Sequence, residues 1–423
     1  MIKLLIIADD FTGALDTGVQ FATCGAQTYV VVDAEIDYTK IASNIEVLVI
    51  DTETRHLNKT AAYQKVFSIV KQASKMEIPY IYKKTDSALR GNIGSELTAA
   101  IQASGEKHIH FVPAFPQMGR TTVNGVHYVN GIPISKSVFG QDPFEPVRHS
   151  DIREIIASQS DIQVNILKNK VLESCVSMKG ILLYDSSCNQ DIENIVAELI
   201  KKDEIHLMAG CAGLACVLSH KFKWKGKQRQ IFEIKDRILV ACGSVNPISV
   251  AQCNDAENKG APRFKLTAGQ KLNPDWIKSY AADAFIRQLY DACKKNHIVI
   301  LDTNDSENGE SAVAYARKKG ISPVKMRVDI VSTMACVLKR LIDRGFDSTI
   351  FIMGGDSLVE FVRQAGIKAI SPVCEIECGV VLSQFKYHHR ILNVISKSGG
   401  FGQSTLFSDL YDTVLRLNEG KDA

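Results

Sequence analysis

The stretch Tyr82 to Leu97, YKKTDSALRGNIGSEL, crowds cations, hydroxyls and one acid into a few residues. Lys83, Lys84 and Arg90 supply positive charge. Thr85 and Ser87 supply hydroxyls, and Asp86 supplies a carboxylate able to accept a proton. Gly91 and Gly94 allow close backbone approach, and a helix starting near Asn92 offers free N–H groups that favour an anion. An anionic substrate that must also lose a proton needs these groups together. A polar loop that merely caps a helix and solvates lysines would use the same residue types, so the rest of the chain has to decide.

Two other places carry compatible chemistry. Asp9 and Asp10 are adjacent acids after the apolar run Lys3 to Ala8. Their spacing does not match the Asp-x-Asp-x-Thr of aspartyl-phosphate hydrolases. Asp10 reads as a substrate hydroxyl acceptor, or as the cap of the following helix. Arg55 closes the polar turn DTETR and could hold a carboxylate in a bidentate fork. Later in the chain, three glycine turns, CGSVNP (Cys242 to Pro247), MGGDS (Met353 to Ser357) and KSGGFG (Lys397 to Gly402), can turn several N–H groups toward a phosphate. No GxxxxGK[ST] occurs, which excludes a P-loop nucleotidase, and no GxGxxG follows the first strand, which weakens a dinucleotide dehydrogenase.

These residues need elements to hold them. The first half alternates short apolar runs with helical patterns: strands at Lys3 to Ala8, Gln27 to Val32, Val47 to Asp51, Ile78 to Ile81 and His108 to Pro113, with helices between. That rhythm predicts an α/β fold with a doubly wound, mostly parallel sheet. Strands one, three and four would bring Asp10, Arg55 and the Lys84–Ser87 turn to one sheet edge, where open α/β sheets bind ligands. From Pro113 to Ser150 the pattern breaks, and Asn124-Gly125 and Asn130-Gly131 mark tight turns. So long a connection is usually functional, and it reads as a flap carrying Arg120 and Asp142. A composition shift near Phe222 to Asp236 divides the chain into residues 1–225 and 236–423. The second part predicts strands at Arg237 to Ala241, His297 to Leu301, Ser348 to Met353 and Ile391 to Ile395, with a long helix from Val324 to Arg344 and a closing helix.

Composition narrows the classes. The chain has 423 residues, 45% hydrophobic and 23% charged, with a net charge of +3. That supports two globular domains and argues against a nucleic-acid footprint. The basic stretch Lys221 to Arg229 reads as a solvated linker. Ile2 to Ala8 reads as a strand rather than a secretory leader, and Leu207 to Leu218 is too short to span a bilayer. The eleven cysteines are scattered without a CxxC pair, so free thiols and a cytoplasmic location are expected, with no membrane partner. The His388-His389 pair reads as surface or strand furniture, and no metal site is assigned. A homo-oligomer is left open.

The motifs resemble the four-carbon acid-sugar kinases. The likeness is carried by ADDFTGALDTG (Ala8 to Gly18), KKTDSALRGNIGSEL (Lys83 to Leu97), PAFPQMGRTT (Pro113 to Thr122), DPFEPVRHSDI (Asp142 to Ile152), CGSVNPISVAQ (Cys242 to Gln252), MGGDS and SKSGGFG, in order across nearly the whole chain. The resemblance implies an ATP-dependent kinase that phosphorylates the terminal hydroxyl of a tetronic acid. It implies an amino-terminal sugar-acid domain and a carboxy-terminal ATP domain. By motif, Asp10, Arg55, Lys84, Thr85, Asp86 and Ser87, with Arg90 and Arg120, would contact the substrate. Ser244, Gly354, Gly355, Asp356, Ser398, Gly399, Gly400 and Gly402 would contact ATP, with Mg²⁺ bridging its phosphates. The KTDSALRG form is similar to the D-threonate and D-erythronate branch. One segment departs: GGDSLVEF stands where the family commonly has GGETSGAV, and ECGVV replaces a proline-glycine turn.

On this expectation Asp86 or Asp10 orients or deprotonates the terminal hydroxyl, a choice the residues leave open. The glycine turns cradle the phosphates, and domain closure excludes water. The alternatives are a kinase for 3-oxo-tetronate or another sugar acid, and a bilobed sensor that binds an acid sugar without turnover.

Overall fold

A computed structural model describes the chain except for residues 1, 33–40, 42, 143–144, 169–176, 227–234, 236, 398–399, 408 and 411–423. It comprises two compact units, Met1–Gln228 and Arg229–Ala423.

The first unit opens with β1 (Leu4–Ala8), α1 (Phe11–Thr23), β2 (Thr28–Val31), β3 (Val47–Asp51), α2 (Lys59–Lys75), β4 (Tyr80–Lys84), α3 (Ile93–Ser104) and β5 (His108–Val112). An antiparallel insert follows: β6 (Arg120–Val123), β7 (Val126–Val129) and β8 (Ile132–Pro133). Then come α4 (Ile152–Ala157), β9 (Val164–Leu167), β10 (Gly180–Tyr184), α5 (Asn189–Lys201), β11 (Leu207–Gly210) and α6 (Ala212–Ser219). Within the unit the large sheet runs β2-β3-β1-β4-β11-β5-β10-β9, and its pairings are parallel.

The central strands are buried on both faces, as the unbroken run LLIIA of β1 requires. The helices cover them with one stripe each. On α2 the buried positions are Ala62, Val66, Ile69, Val70 and Ala73, the three-and-four spacing of a single helical face. β1 is flanked by β3 and β4 because the chain winds first to one side and then to the other. The crevice outside such a reversal is where open sheets of this kind take ligands.

The second unit contains β12 (Ile238–Cys242), α7 (Pro247–Asn258), β13 (Arg263–Lys265), α8 (Ala268–Leu272), α9 (Tyr280–Lys295), β14 (Ile298–Asp302), α10 (Ala312–Lys319), α11 (Pro323–Asp343), β15 (Thr349–Met353), α12 (Gly355–Gln364), β16 (Ala369–Glu377), β17 (Val380–Tyr387) and β18 (Arg390–Lys397). Its sheet order is β13-β14-β12-β15-β18-β17-β16. β12, β14, β15 and β18 are parallel, whereas β16, β17 and β18 form an antiparallel meander. The parallel strands bury Val240, Ile300, Phe351 and Ile395 completely.

The alternation read from the sequence is present, but β9, β13, β16 and β17 were not expected. β16 carries Pro372 and the acids Glu375 and Glu377, and its pairing with β17 is interrupted by two register shifts. Such a strand does not show a clean period of two. The ECGVV segment forms the tight turn between β16 and β17, with Gly379 at φ 73°. Helix is present from Leu406, and the rest of the expected closing helix falls on residues 411–423, outside the described residues.

Candidate active site

In the first unit, Ala8 pairs with Asp51 and Ile7 with Lys83, so the ends of β3, β1 and β4 lie side by side. Asp9 and Asp10, the turn from Thr52 to Arg55, and Lys84 to Ser87 therefore emerge together. Thr52 fixes the turn by donating its Oγ1 proton to the Ala8 carbonyl at 2.7 Å, and Arg55 N donates to the Asp9 carbonyl at 3.2 Å.

Arg55 is the hub. Its Nε lies 2.7 Å from Asp9 Oδ2. Its Nη1 and Nη2 each lie 2.8 Å from an oxygen of Asp10. Asp86 Oδ1 is 3.7 Å from Nη2. In this structure the Arg55 fork faces Asp10, and the guanidinium organises three acids. Asp10 is the cap of the following helix, since Oδ1 also accepts from Gly13 N at 3.0 Å at the start of α1. Burial alone would push the Asp9 carboxyl up, but Arg55, Lys83 and Lys84 hold it below its ordinary value.

Strand alternation separates the two lysines of β4. Lys83 is fully buried, with Nζ 2.7 Å from Glu96 Oε2 on α3 and 2.7 Å from its neighbour's carbonyl oxygen. Lys84 points to the opposite face, toward α1, where a methyl group on Gly13 would lie 2.7 Å from its Nζ and 2.5 Å from Asp10 Oδ1. Glycine at position 13 is thus what lets ammonium and carboxylate share that space. Lys84 is 3% exposed, and among the described residues its ammonium has neither a hydrogen bond nor an ion pair. Thr85 Oγ1, on the next residue, is buried and has no hydrogen-bond partner among the described residues.

Asp86 is held by Arg90, with Nε 2.7 Å from Oδ2 and Nη2 3.1 Å from Oδ1. Burial pushes its carboxyl up, but Arg90, Arg55 and Lys84 hold it far below the usual carboxylate range. Ser87 is tied to the insert: His127 Nε2 lies 3.0 Å from the Ser87 carbonyl, and His127 Nδ1 lies 3.0 Å from Thr122 Oγ1. Since a carbonyl only accepts, Nε2 carries the proton and Nδ1 accepts from the threonine. Burial pushes this imidazole down to about 4. The Asn124-Gly125 and Asn130-Gly131 pairs all have positive φ, forming the tight turns expected of the insert. Arg120 starts β6, and its guanidinium lies 5.7 Å from the Phe139 ring, with Arg90 5.5 Å from the same ring. Asp142 Oδ1 accepts from Glu145 N at 2.9 Å, which holds its own turn.

The anion site expected at the start of α3 is not there. Gln159 Oε1 accepts from Gly94 N at 2.7 Å, so the helix start is capped by a side chain. A Cβ on Gly94 would lie 2.7 Å from the Ile156 carbonyl oxygen, so this glycine serves the packing of α3 on α4. Gly91, at φ 86°, packs against Arg55.

In the second unit, β12, β15 and β18 are neighbours, so their glycine turns lie side by side. Gly354 has φ 109° and leads into α12, whose first N–H groups receive no side-chain hydrogen bond among the described residues. Its neighbour Gly243 has no room for a side chain, since a Cβ there would fall on Ser357 Oγ. Ser244 Oγ accepts from Asn246 N at 3.3 Å, and Asn304 Nδ2 donates to the Ser244 carbonyl at 3.2 Å. Asp356 in the first turn of α12 lies 2.6 Å from Arg327. Gly402 has φ 78°, and Gly400 comes close to Asn246 Nδ2. Ser398 and Gly399 lie outside the described residues. An uncapped, glycine-started helix end beside two further glycine turns suits a polyphosphate.

A model of the sugar-binding N-terminal domain matches residues 4–218, and a model of the nucleotide-binding C-terminal domain matches residues 239–407. The chain belongs to the four-carbon acid-sugar kinases. It is an enzyme that transfers a phosphoryl group to an alcohol. D-threonate kinase of Salmonella typhimurium is 29% identical over 97% of this chain and 98% of its own length. D-erythronate kinase of Heliobacterium modesticaldum is 25% identical over 98% of each. 3-oxo-tetronate kinase of Brucella melitensis is 24% identical over 96% of this chain and 94% of its own length. Crystal structures of a Salmonella typhimurium LT2 protein (TM-score 0.80, 19% identity, 97% and 99% covered) and a Haemophilus influenzae protein (TM-score 0.72, 18%, 98% and 100%) share the fold. Among the described residues no helix of the kinase is long and apolar enough to cross a membrane.

Sequence reasoning on this kinase missed Asp9, Glu96, His127 and Lys397. Asp9 was passed over for its neighbour, although adjacent acids at a strand end point to opposite faces and both can serve. Glu96 lies thirteen residues beyond Lys83, and only the packing of α3 on the sheet joins them. Lys397 ends β18 with Nζ 2.8 Å from the Phe401 carbonyl, and burial pushes it down to about 8.

Proposed function

We propose that this kinase transfers the γ-phosphoryl group of ATP, taken as its Mg²⁺ complex, to the terminal hydroxyl of a four-carbon sugar acid of the D-threonate or D-erythronate type. The observation that carries this reading is Lys84. A nearly buried ammonium with no hydrogen bond or ion pair among the described residues, near the Thr85 hydroxyl, likewise without a hydrogen bond among them, and the carboxylates of Asp10 and Asp86, suits a small ligand bearing one carboxylate and several hydroxyls. The relatives named for D-threonate and D-erythronate support the same substrate class.

Lys84, with Arg90 and Arg120 behind it, would neutralise the substrate carboxylate. Thr85 and Ser87 would fix hydroxyls. Asp86 is too weak a base to take a proton early, because its cations hold it ionised. Phosphoryl transfer through a loose transition state needs little early proton abstraction, so an acceptor that only aligns the hydroxyl suffices. Oδ2 of Asp86 accepts from both Arg90 N and Arg90 Nε, whereas Oδ1 accepts from Arg90 Nη2 alone and keeps a lone pair for the hydroxyl. Asp10 would complete the acceptor set, and Arg55 would hold all three acids in place without touching the substrate.

In the second unit, the open N–H groups of α12, with Gly354, Gly355 and Ser244, would hold the phosphates, and the Gly400–Gly402 turn would border them. Mg²⁺ neutralises the phosphate charge. The nearby carboxylates are engaged, Asp302 with Arg263 and Asp356 with Arg327, so the ion would be held mainly by phosphate oxygens and water.

The test is a coupled assay of ADP release with Mg–ATP against D-threonate, D-erythronate, L-threonate and 3-oxo-tetronate. Turnover with D-threonate or D-erythronate is the expected result. Preferred turnover of 3-oxo-tetronate, or silence with all four despite stabilisation by ATP, overturns the substrate assignment.

A further inference from the structure

His108 and His110 lie on one face of β5, near its start, and Glu204 precedes β11, the neighbouring strand. The three are therefore at the amino-terminal edge of the sheet, opposite the edge that carries the sugar-acid site. His108 Nε2 is 3.0 Å from Glu204 Oε2, and His110 Nε2 is 3.4 Å from the same oxygen. One ligand atom from each residue lies within 4.8 Å of the others.

The outer hydrogen bonds decide what these atoms can be. His108 Nδ1 is 3.0 Å from the Met178 carbonyl, which only accepts, so Nδ1 carries the proton. A neutral His108 then turns the lone pair of Nε2 toward a carboxylate oxygen, which is repulsive at 3.0 Å. His110 Nδ1 is held by Tyr184 OH at 2.9 Å, which likewise orients its Nε2 toward Glu204. Two imidazoles fixed through Nδ1, with Nε2 atoms converging on one carboxylate, form the usual outer support of a metal-bound histidine pair. Only a further proton at the His108–Glu204 contact or a cation among the three resolves the repulsion.

We propose that His108, His110 and Glu204 bind one divalent transition-metal ion of the zinc class, which ties the start of β5 to the segment before β11. Metal–ligand bonds of about 2.1 Å in a tetrahedron place ligand atoms about 3.4 Å apart, close to the 3.0 and 3.4 Å between Glu204 Oε2 and the two Nε2 atoms. Two imidazoles and a carboxylate, without thiolate, suit Zn²⁺, Co²⁺ or Ni²⁺ better than Mg²⁺ or Ca²⁺. The fourth position is left for water. Glu204 is partly exposed while both histidines are buried, which gives the ion an approach from solvent. Lying at the far edge of the sheet, the ion has a structural role and takes no part in phosphoryl transfer.

The test uses the full-length protein, stripped with a chelator and titrated with Zn²⁺ by calorimetry and thermal melting. One equivalent should bind, with the melting temperature rising by roughly 5 °C at saturating excess. His108→Asn and Glu204→Gln should each abolish that equivalent and that rise while leaving sugar-acid kinase turnover intact. The Glu204→Gln change keeps the shape of a partly exposed side chain, so it decides the matter if the histidine variant does not fold. The Co²⁺ form should show tetrahedral absorption without a thiolate charge-transfer band. No stoichiometric Zn²⁺ uptake would mean that a proton joins His108 to Glu204, and the proposal is then wrong. Unchanged uptake in Glu204→Gln would place the metal away from this trio, a thiolate band would place it on cysteines, and either overturns the proposal.

Discussion

Arg55 grips Asp10 with both terminal nitrogens, each 2.8 Å from a carboxylate oxygen, while Asp10 caps α1 through Gly13. A side chain from β3's turn thereby sets the start of the helix that follows β1, and it aligns Asp9 and Asp86 as well. Lysine cannot reproduce a planar fork. Arg55→Lys should therefore lower kcat by about a hundredfold or more, in the range lost when preorganised charge is removed. Its melting temperature should also fall, because buried carboxylates lose a partner. Wild-type kcat in Arg55→Lys would show that the fork does not position the acids.

Asp86 is expected to act through its charge and geometry. Asp86→Asn keeps the shape, removes the charge and leaves Arg90 without its carboxylate. Turnover should drop by orders of magnitude, about 10²-fold at least, with the circular dichroism spectrum unchanged. The acidic limb of the rate profile should not contain a group near neutral pH assignable to Asp86, since Arg90 and Arg55 keep it ionised throughout. A rate limb that disappears in Asp86→Asn and lies near pH 6 would contradict this role.

The adjacent lysines of β4 should separate cleanly. Lys83→Met strands Glu96 in the core and should cost about 3–5 kcal/mol of stability, as breaking a buried pair does. Lys84→Met removes an ammonium that makes no hydrogen bond or ion pair among the described residues and acts on Asp9 and Asp86 only through its charge, so it should cost less stability than Lys83→Met. KM for the sugar acid should rise by about a hundredfold, the loss expected for a charged hydrogen bond. Denaturant midpoints and steady-state kinetics on the two variants check this, and equal destabilisation by both would remove Lys84 from substrate binding.

How much of this could be read from the chain depended on whether the signal was local. The ends of β1 and β3 were placed correctly because each buried strand is a short apolar run that stops at a polar turn, whereas the fourth strand, expected to end at Ile81, runs on to Lys84 because Lys83 is paired in the core with Glu96. Their adjacency followed from the winding rule. What failed was partnership across elements. The start of α3 looked open to an anion because Gln159, far along the chain, was not visible as its cap. Arg55 looked free for the same reason. The β16–β17 hairpin was missed because its bulges and acids break alternation, and the His108–His110 spacing was overlooked although residues two apart on a strand share a face.

His127 joins the insert to the Ser87 turn as a neutral imidazole. Its folded value of about 4 lies below its ordinary 6.5. The unfolded chain therefore binds a proton between these values where the folded chain does not. The bond's contribution to stability is complete above pH 6.5, declines as pH falls toward 4, and changes no further below that. His127→Gln lacks this acid penalty. The stability difference between wild type and His127→Gln should thus shrink from pH 7 to pH 5, measured as urea midpoints. The other histidines are common to both proteins and cancel. A difference that is the same at both pH values would mean that His127 is not buried in its neutral form.

Gly354 tests the nucleotide end independently of the sugar-acid chemistry. At φ 109° it occupies backbone space that disfavours a side chain, and its Cβ would meet Gly243 at 3.6 Å, an ordinary contact. Gly354→Ala therefore suffers mainly from conformation, at about 1–3 kcal/mol. Relief of that strain would rotate the first N–H groups of α12 away from the phosphates. ATP should bind about tenfold more weakly or worse, a loss of about 1.4 kcal/mol. The melting-point rise with Mg–ATP should shrink, while the sugar-acid-induced rise of the first unit stays at its wild-type size. Gly243→Ala, which drives a methyl group into Ser357, should behave in the same way but through a steric clash. Undiminished ATP stabilisation in both variants would show that the phosphates are held elsewhere.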